Sequence, residues 1–175
     1  TPTGGGGGGS SSSSRRRRRR AVDVGTADGT TAFCWAAWQG QLAACRFLHE
    51  EARCDPHLGN GYGCNAAMWA AQGGHLGVLR YLRCLGVDLA GVNATRQGCL
   101  HKAAQRGHAA VCEWLLGPEV GLLDPARQPP EVVRRHAGAN EGEGSRPPEL
   151  ARYGGHDALA EWLRARLPPP QSQSS

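Results

Sequence analysis

"GCNAAMWAAQGGHLGVLRYL", Gly63 to Leu82, is the stretch that decides the fold. Its first half is a short alanine-rich run preceded by Asn65, a side chain suited to cap a helix by accepting a backbone N–H. Its second half opens at His75 and carries Val78, Leu79 and Leu82 at i, i+1 and i+4, one face of a helix. Between the halves stands Gly74. The spacing predicts two short amphipathic helices joined by a glycine turn, a unit too small to bury its own apolar stripe.

The same pattern recurs on both sides. "GTTAFCWAAWQGQLAACRFL" from Gly29 and "RQGCLHKAAQRGHAAVCEWL" from Arg96 align with it without gaps, so that Ala36, Ala70 and Ala103 are equivalent at intervals of 34 and 33. A fourth copy, "GSRPPELARYGGHDALAEWL" from Gly144, sets Ala151 against Ala70, 81 residues on. Turn glycines fall at Gly40, Gly74, Gly107 and Gly155, and the second-helix stripe returns as Ala44, Cys45 and Leu48, as Val111, Cys112 and Leu115, and as Leu159, Ala160 and Leu163. Units of this period bury their stripes by stacking on one another.

These residues resemble the ankyrin repeat, G-x-T-P-L-H-x-A-A-x-x-G-H with L-L and G-A-D after it. Copy two keeps "GCNAAMWAAQGGH" and "YLRCLGVDL"; copy three keeps "LHKAAQRGH" and "CEWLL"; copy four keeps "GSRP" and "GGH". The resemblance covers roughly residues 26–167. It implies an all-α solenoid of about four helix-turn-helix repeats with short hairpin connections, copies near 29–61, 63–95, 96–117 and 144–167, and an inserted loop at about 118–140. It also implies a non-catalytic module without cofactor, binding another protein through a concave face lined by first helices and hairpin tips.

The departures from the pattern are specific. The T-P pair is never complete, reading Thr31-Ala32, Asn65-Ala66, Gly98-Cys99 and Arg146-Pro147, and only His101 holds the histidine position, the others being Cys34, Met68 and Glu149. Thr31 and Asn65 remain good caps. In copy three Arg96 stands where the turn glycine belongs, which predicts a turn displaced to Gly98. The insert, Gly117 to Asn140, contains "PPEVVRRHAG", with Pro before Glu at a helix start and Gly at its end, inside a stretch read as disordered with a transient helical turn.

Outside the repeats, "TPTGGGGGGSSSSSRRRRRR" has no apolar side chain to offset the entropy of ordering it, and residues 1–25 and 168–175 are expected to be disordered tails. The first of these does not read as a secretory signal. The net charge of +5 depends on it: without Arg15, Arg16, Arg17, Arg18, Arg19 and Arg20 the remainder carries fourteen basic and fifteen acidic residues. Contact with nucleic acid or anionic lipid would therefore rest on that tract, whose three homopolymers also read as translated simple-sequence DNA. Seven cysteines without a C-x-x-C pair point to reduced thiols inside the cell, cytoplasmic or nuclear, and no apolar run is long enough to span a membrane. A monomer is expected.

Cys99, His101, His108 and Cys112 supply the number of ligands a closed zinc site takes. The register answers this. Cys112 aligns with Cys45, Leu79 and Ala160 in an apolar row, and His108 with Gln41, His75 and His156 at the opening of each second helix. The constellation thus reads as scaffold rather than as a metal or thiol-enzyme site. For binding, register selects one row at Trp35, Trp69 and Lys102, a second at Trp38, Gln72 and Gln105, and a third that ends at Arg106. Three tryptophans grading into two cations form the candidate protein contact. Mutual bracing of Trp35 and Trp69 across one period is the competing account.

Overall fold

The computed structural model describes residues 21–137 and 145–168; Arg15 to Arg20 and the tail beyond Pro168 lie outside them. Among the described residues there are nine α-helices and no strand, only an isolated bridge between Gly25 and Thr31. Four helix pairs follow the sequence repeats: α1 (Ala32–Trp38) with α2 (Leu42–Glu50), α3 (Ala66–Gly73) with α4 (Leu76–Cys84), α5 (Cys99–Gln105) with α6 (Ala109–Leu116), and α8 (Pro147–Tyr153) with α9 (Asp157–Arg164). The remaining helix, α7 (Pro130–Ala137), belongs to the insert.

The first helices form one layer, α1 against α3, α3 against α5 and α5 against α8. Alanines make that possible: Ala66, Ala67, Ala70, Ala71, Ala103, Ala104 and Ala151 are all fully buried, and a methyl group lets two helix backbones approach closely. The second-helix stripes close the core behind them, with Val78, Leu79, Leu82, Val111, Cys112, Leu115, Ala160 and Leu163 buried. Each such leucine or valine contributes about 1.5–3 kcal/mol. In the first repeat only Cys45 of the stripe is fully buried.

Caps fix where the first helices start. Thr31 Oγ1 accepts the N–H of Cys34 at 3.3 Å, and Asn65 Oδ1 accepts that of Met68 at 3.0 Å. Ahead of each cap is a tight turn that repeats bond for bond: Gly29 N–H to Thr26 O, Gly63 N–H to Asn60 O, and Arg96 N–H to Asn93 O. Successive turns are stitched together by Gly61 N–H to Asp28 O at 2.7 Å and Ala94 N–H to Tyr62 O at 2.8 Å.

The turn of copy three is not displaced. Arg96 itself takes the left-handed conformation, φ +61°, that Gly29 and Gly63 take in their copies. Asn93 enforces it, since its side-chain oxygen accepts the N–H groups of both Thr95 and Gln97, and its backbone pairs with Gln97 O.

A second repeating device joins the repeats. The turn glycines Gly40, Gly74, Gly107 and Gly155 all have φ between +71° and +80°. Onto the first three packs the histidine that opens the next second helix: a Cβ on Gly40, Gly74 or Gly107 would collide with the ring of His75, His108 or His156. His108 also bonds back through Nε2 to the carbonyl of Gln72 at 3.0 Å.

Two expectations change. The folded region begins before residue 26: Ala21–Asp23 is a turn of 3-10 helix, Val22 packs on the core, and buried Asp23 accepts the N–H of Asp55 at 3.0 Å. Nor is the inserted stretch merely a loop over its described part, 118–137; residues 138–140 lie outside the described residues. Leu122 is fully buried, and Glu119 accepts from Trp114 Nε1 at 2.7 Å and meets Arg80 at 3.3 Å, which pins the chain leaving α6. Then α7 starts at Pro130, beside Glu131, where the Pro–Glu signal placed it. It docks by burying His136 and Ala137 completely. His136 Nε2 donates to Ala90 O at 2.7 Å, and Arg146 Nε donates to Ala137 O at 3.1 Å. Disorder was expected because a loop this long in a compact domain is either functional or disordered; Leu122 and a buried polar side chain with a backbone partner anchor it instead.

Candidate functional site

Because α1 and α3 lie side by side, equivalent positions on them meet. Trp35 and Trp69 stack with ring centroids 6.3 Å apart and planes 20° from parallel, while Trp38 closes on them at 5.2 Å and 5.8 Å with its plane tilted 54° and 56°. The three rings form one cluster. Trp35 is 43% exposed, and Trp38 and Trp69 are half-buried. Aromatic pairs in such geometry are worth about 0.5–1.5 kcal/mol beyond their area, so the bracing is real and the open face of Trp35 is additional to it. Trp69 Nε1 is buried with no hydrogen-bond acceptor.

The rest of the candidate row continues in register on α3 and α5. Gln72 is half-buried, with its carbonyl committed to His108. Lys102 is half-buried, and Gln105 and Arg106 are exposed. The row also reaches α8, which the sequence reading did not follow. Tyr153, equivalent to Gln72 at the same 81-residue offset, is 80% exposed. That offset was the available signal.

The four residues that suggested zinc are placed apart in role. Cys99 and Cys112 are fully buried, and burial pushes both thiols up to about 12, far from the thiolate a metal or a substrate needs. His101 is buried too, its Nδ1 accepting the N–H of Gly98 at 3.3 Å, while His108 faces Gln72 of the preceding repeat. Among the described residues no three His, Cys, Asp or Glu side chains gather as metal ligands. One carboxylate stands out electrostatically: hydrogen bonds from Thr26 and Thr30 hold Asp28 down at about 2. Its bonds tie it to the hairpin turn and to Asn60, a structural use.

No helix among the described residues is long and apolar enough to cross a membrane. The sequence matches the family model described as ankyrin repeats (3 copies) over residues 17–93 and again over 33–124. Comparison with curated proteins gives no match.

Proposed function

Since the chain belongs to the ankyrin-repeat family, whose repeats generally serve protein–protein interaction, we propose that it is a non-catalytic module that grips an extended segment of a partner protein along its first-helix layer. The observation that carries this reading is the partly open cluster of Trp35, Trp38 and Trp69. Tryptophan and arginine dominate interface energetics because a large, preordered surface is buried at small entropic cost. The partner's segment presents apolar or proline side chains to the open face of the tryptophan cluster. Acidic side chains follow, opposite Lys102 and Arg106, with Gln72 and Gln105 between. Buried thiols near 12 are poor nucleophiles, which fits binding rather than catalysis.

Selection from a random peptide library on the full chain tests the reading. Sequences that pair aromatic or proline residues with acids are expected, with affinity falling at least tenfold in Trp35→Ala and in Lys102→Glu/Arg106→Glu while circular dichroism stays unchanged. Undiminished binding in both variants refutes the surface. The rival role, polyanion contact through Arg15 to Arg20, predicts instead a steep salt dependence that disappears when residues 1–20 are removed.

A further inference from the structure

Copy three departs from its sisters at three places, and the departures meet in space. The cap position held by Thr31 and Asn65 is Gly98, which has no side chain to cap with. The insert supplies His136, whose ring fills that space: a Cβ on Gly98 would collide with Cε1 and lie 3.1 Å from Nδ1. The third departure is His101, whose ring centroid stands 5.9 Å from that of His136. The absent cap, the histidine and the insert are therefore parts of one joint.

That joint accepts only a neutral His136. Its Nε2 donates to Ala90 O, while Nδ1 is buried with no partner. An imidazolium donates from both nitrogens, so the docked ring has one acceptor for two donors. Burial opposes protonation most, and Arg135 on α7 adds to it; the bond to Ala90 O and Asp88, which lies in the loop after α4 with Oδ1 accepting the Ala90 N–H at 2.8 Å, act the other way without outweighing burial. Burial pushes both histidines below the usual range, His101 to about 3.

We propose that α7 is an acid-released latch: it lies on repeat three while His136 is neutral and swings off when that ring is protonated, uncovering Gly98, His101 and the Ala90 carbonyl. The sign follows from the depressed docked value. Docking is fully favourable above the free histidine value of about 6.5 and weakens as pH falls from there toward the docked value. From pH 7.5 to 5.0, His136 alone raises the released-to-docked ratio by up to about 30-fold.

Hydrogen exchange on the full chain tests this, with the peptide over 130–137 read against the α3 peptide as internal reference for the chemical rate. An increase in α7 opening at pH 5.0, by up to about 30-fold, with α3 unchanged, is expected. His136→Gln keeps an N–H for Ala90 O and takes no second proton, so its α7 stays docked at both pH values. Gly98→Ala sets a methyl group against both the ring and the Gly91 carbonyl oxygen, so its α7 exchanges freely at both pH values while α3 stays protected, and the Gln variant, which leaves that backbone untouched, decides whether the proton is the cause. A pH-independent wild type, a Gln variant that still opens in acid, or α3 opening in step with α7 overturns the latch. The latch is independent of what the tryptophan face binds.

Discussion

Replacing Gly74 by alanine, with Gly155→Ala as its matched control, isolates the energy of one histidine-on-glycine joint. Both glycines have nearly the same backbone, φ +79° and +80°, so both variants incur the left-handed penalty of about 1–2 kcal/mol. At Gly155 nothing lies within 4 Å of the new methyl group, and the cost ends there. At Gly74 the methyl would stand 2.5 Å from His108 Nδ1, so the ring must swing away. That breaks the 3.0 Å bond to Gln72 O, about 1 kcal/mol, and uncovers apolar contact between repeats two and three worth about 1 kcal/mol more. Gly74→Ala should thus cost about 2 kcal/mol more than its control, roughly 7 °C in Tm for a chain of this size. Thermal and urea unfolding followed by far-ultraviolet circular dichroism read the difference, and Gly86→Ala, φ +73° with open space around it, serves as a second control. Equal shifts in all three would mean that the histidines rest on the glycines without holding the repeats together.

Asn60→Ala removes two accepted N–H groups and two donated bonds to Asp28 and Thr30, and should cost about 2–4 kcal/mol, with Asn60→Asp no less severe at neutral pH because it keeps the accepting oxygen but sets a second carboxylate against that of Asp28; equilibrium urea unfolding measures both. Asp28 contributes stability that is present above the free carboxyl value of 3.8 and is lost as pH falls through about 2, so Asp28→Asn should flatten the dependence of Tm on pH between 4 and 2. Of the seven thiols only Cys84 is exposed, and a thiol reagent on the native chain should modify one cysteine rapidly and the other six on the timescale of unfolding. Chelators should leave Tm unchanged, because Cys99, His101, His108 and Cys112 are engaged in packing and backbone bonds; a fall would revive the metal reading.

What sequence made legible is what each residue decides locally. Thr31 and Asn65 cap because a short oxygen-bearing side chain one residue before a helix reaches the first-turn N–H, and the stripe of Val78, Leu79 and Leu82 is a matter of period. Arg96 in a left-handed conformation was not legible, since Asn93 imposes it against the intrinsic preference of the residue. The Pro–Glu pair marked where α7 starts, but its docking was not legible, because that depends on a histidine meeting a glycine 38 positions earlier. The tryptophan row could be read by register, but the ring angles that leave Trp35 open to solvent are set by packing alone. Tyr153 was within reach of the same register and needed only the fourth copy to be followed through.

The histidine joint also gives the stack a polarity. His75, His108 and His156 each reach back to the turn of the repeat before, and no glycine of a later repeat is held by an earlier ring in this series. Peeling α8 and α9 away would strip Gly107 of its cover while leaving His108 seated on Gly74. Peeling α1 and α2 away would instead leave His75 without its seat and every later joint intact. Truncations at the two ends therefore break one joint each but leave different halves of it exposed, a bare glycine at one end and an unseated ring at the other.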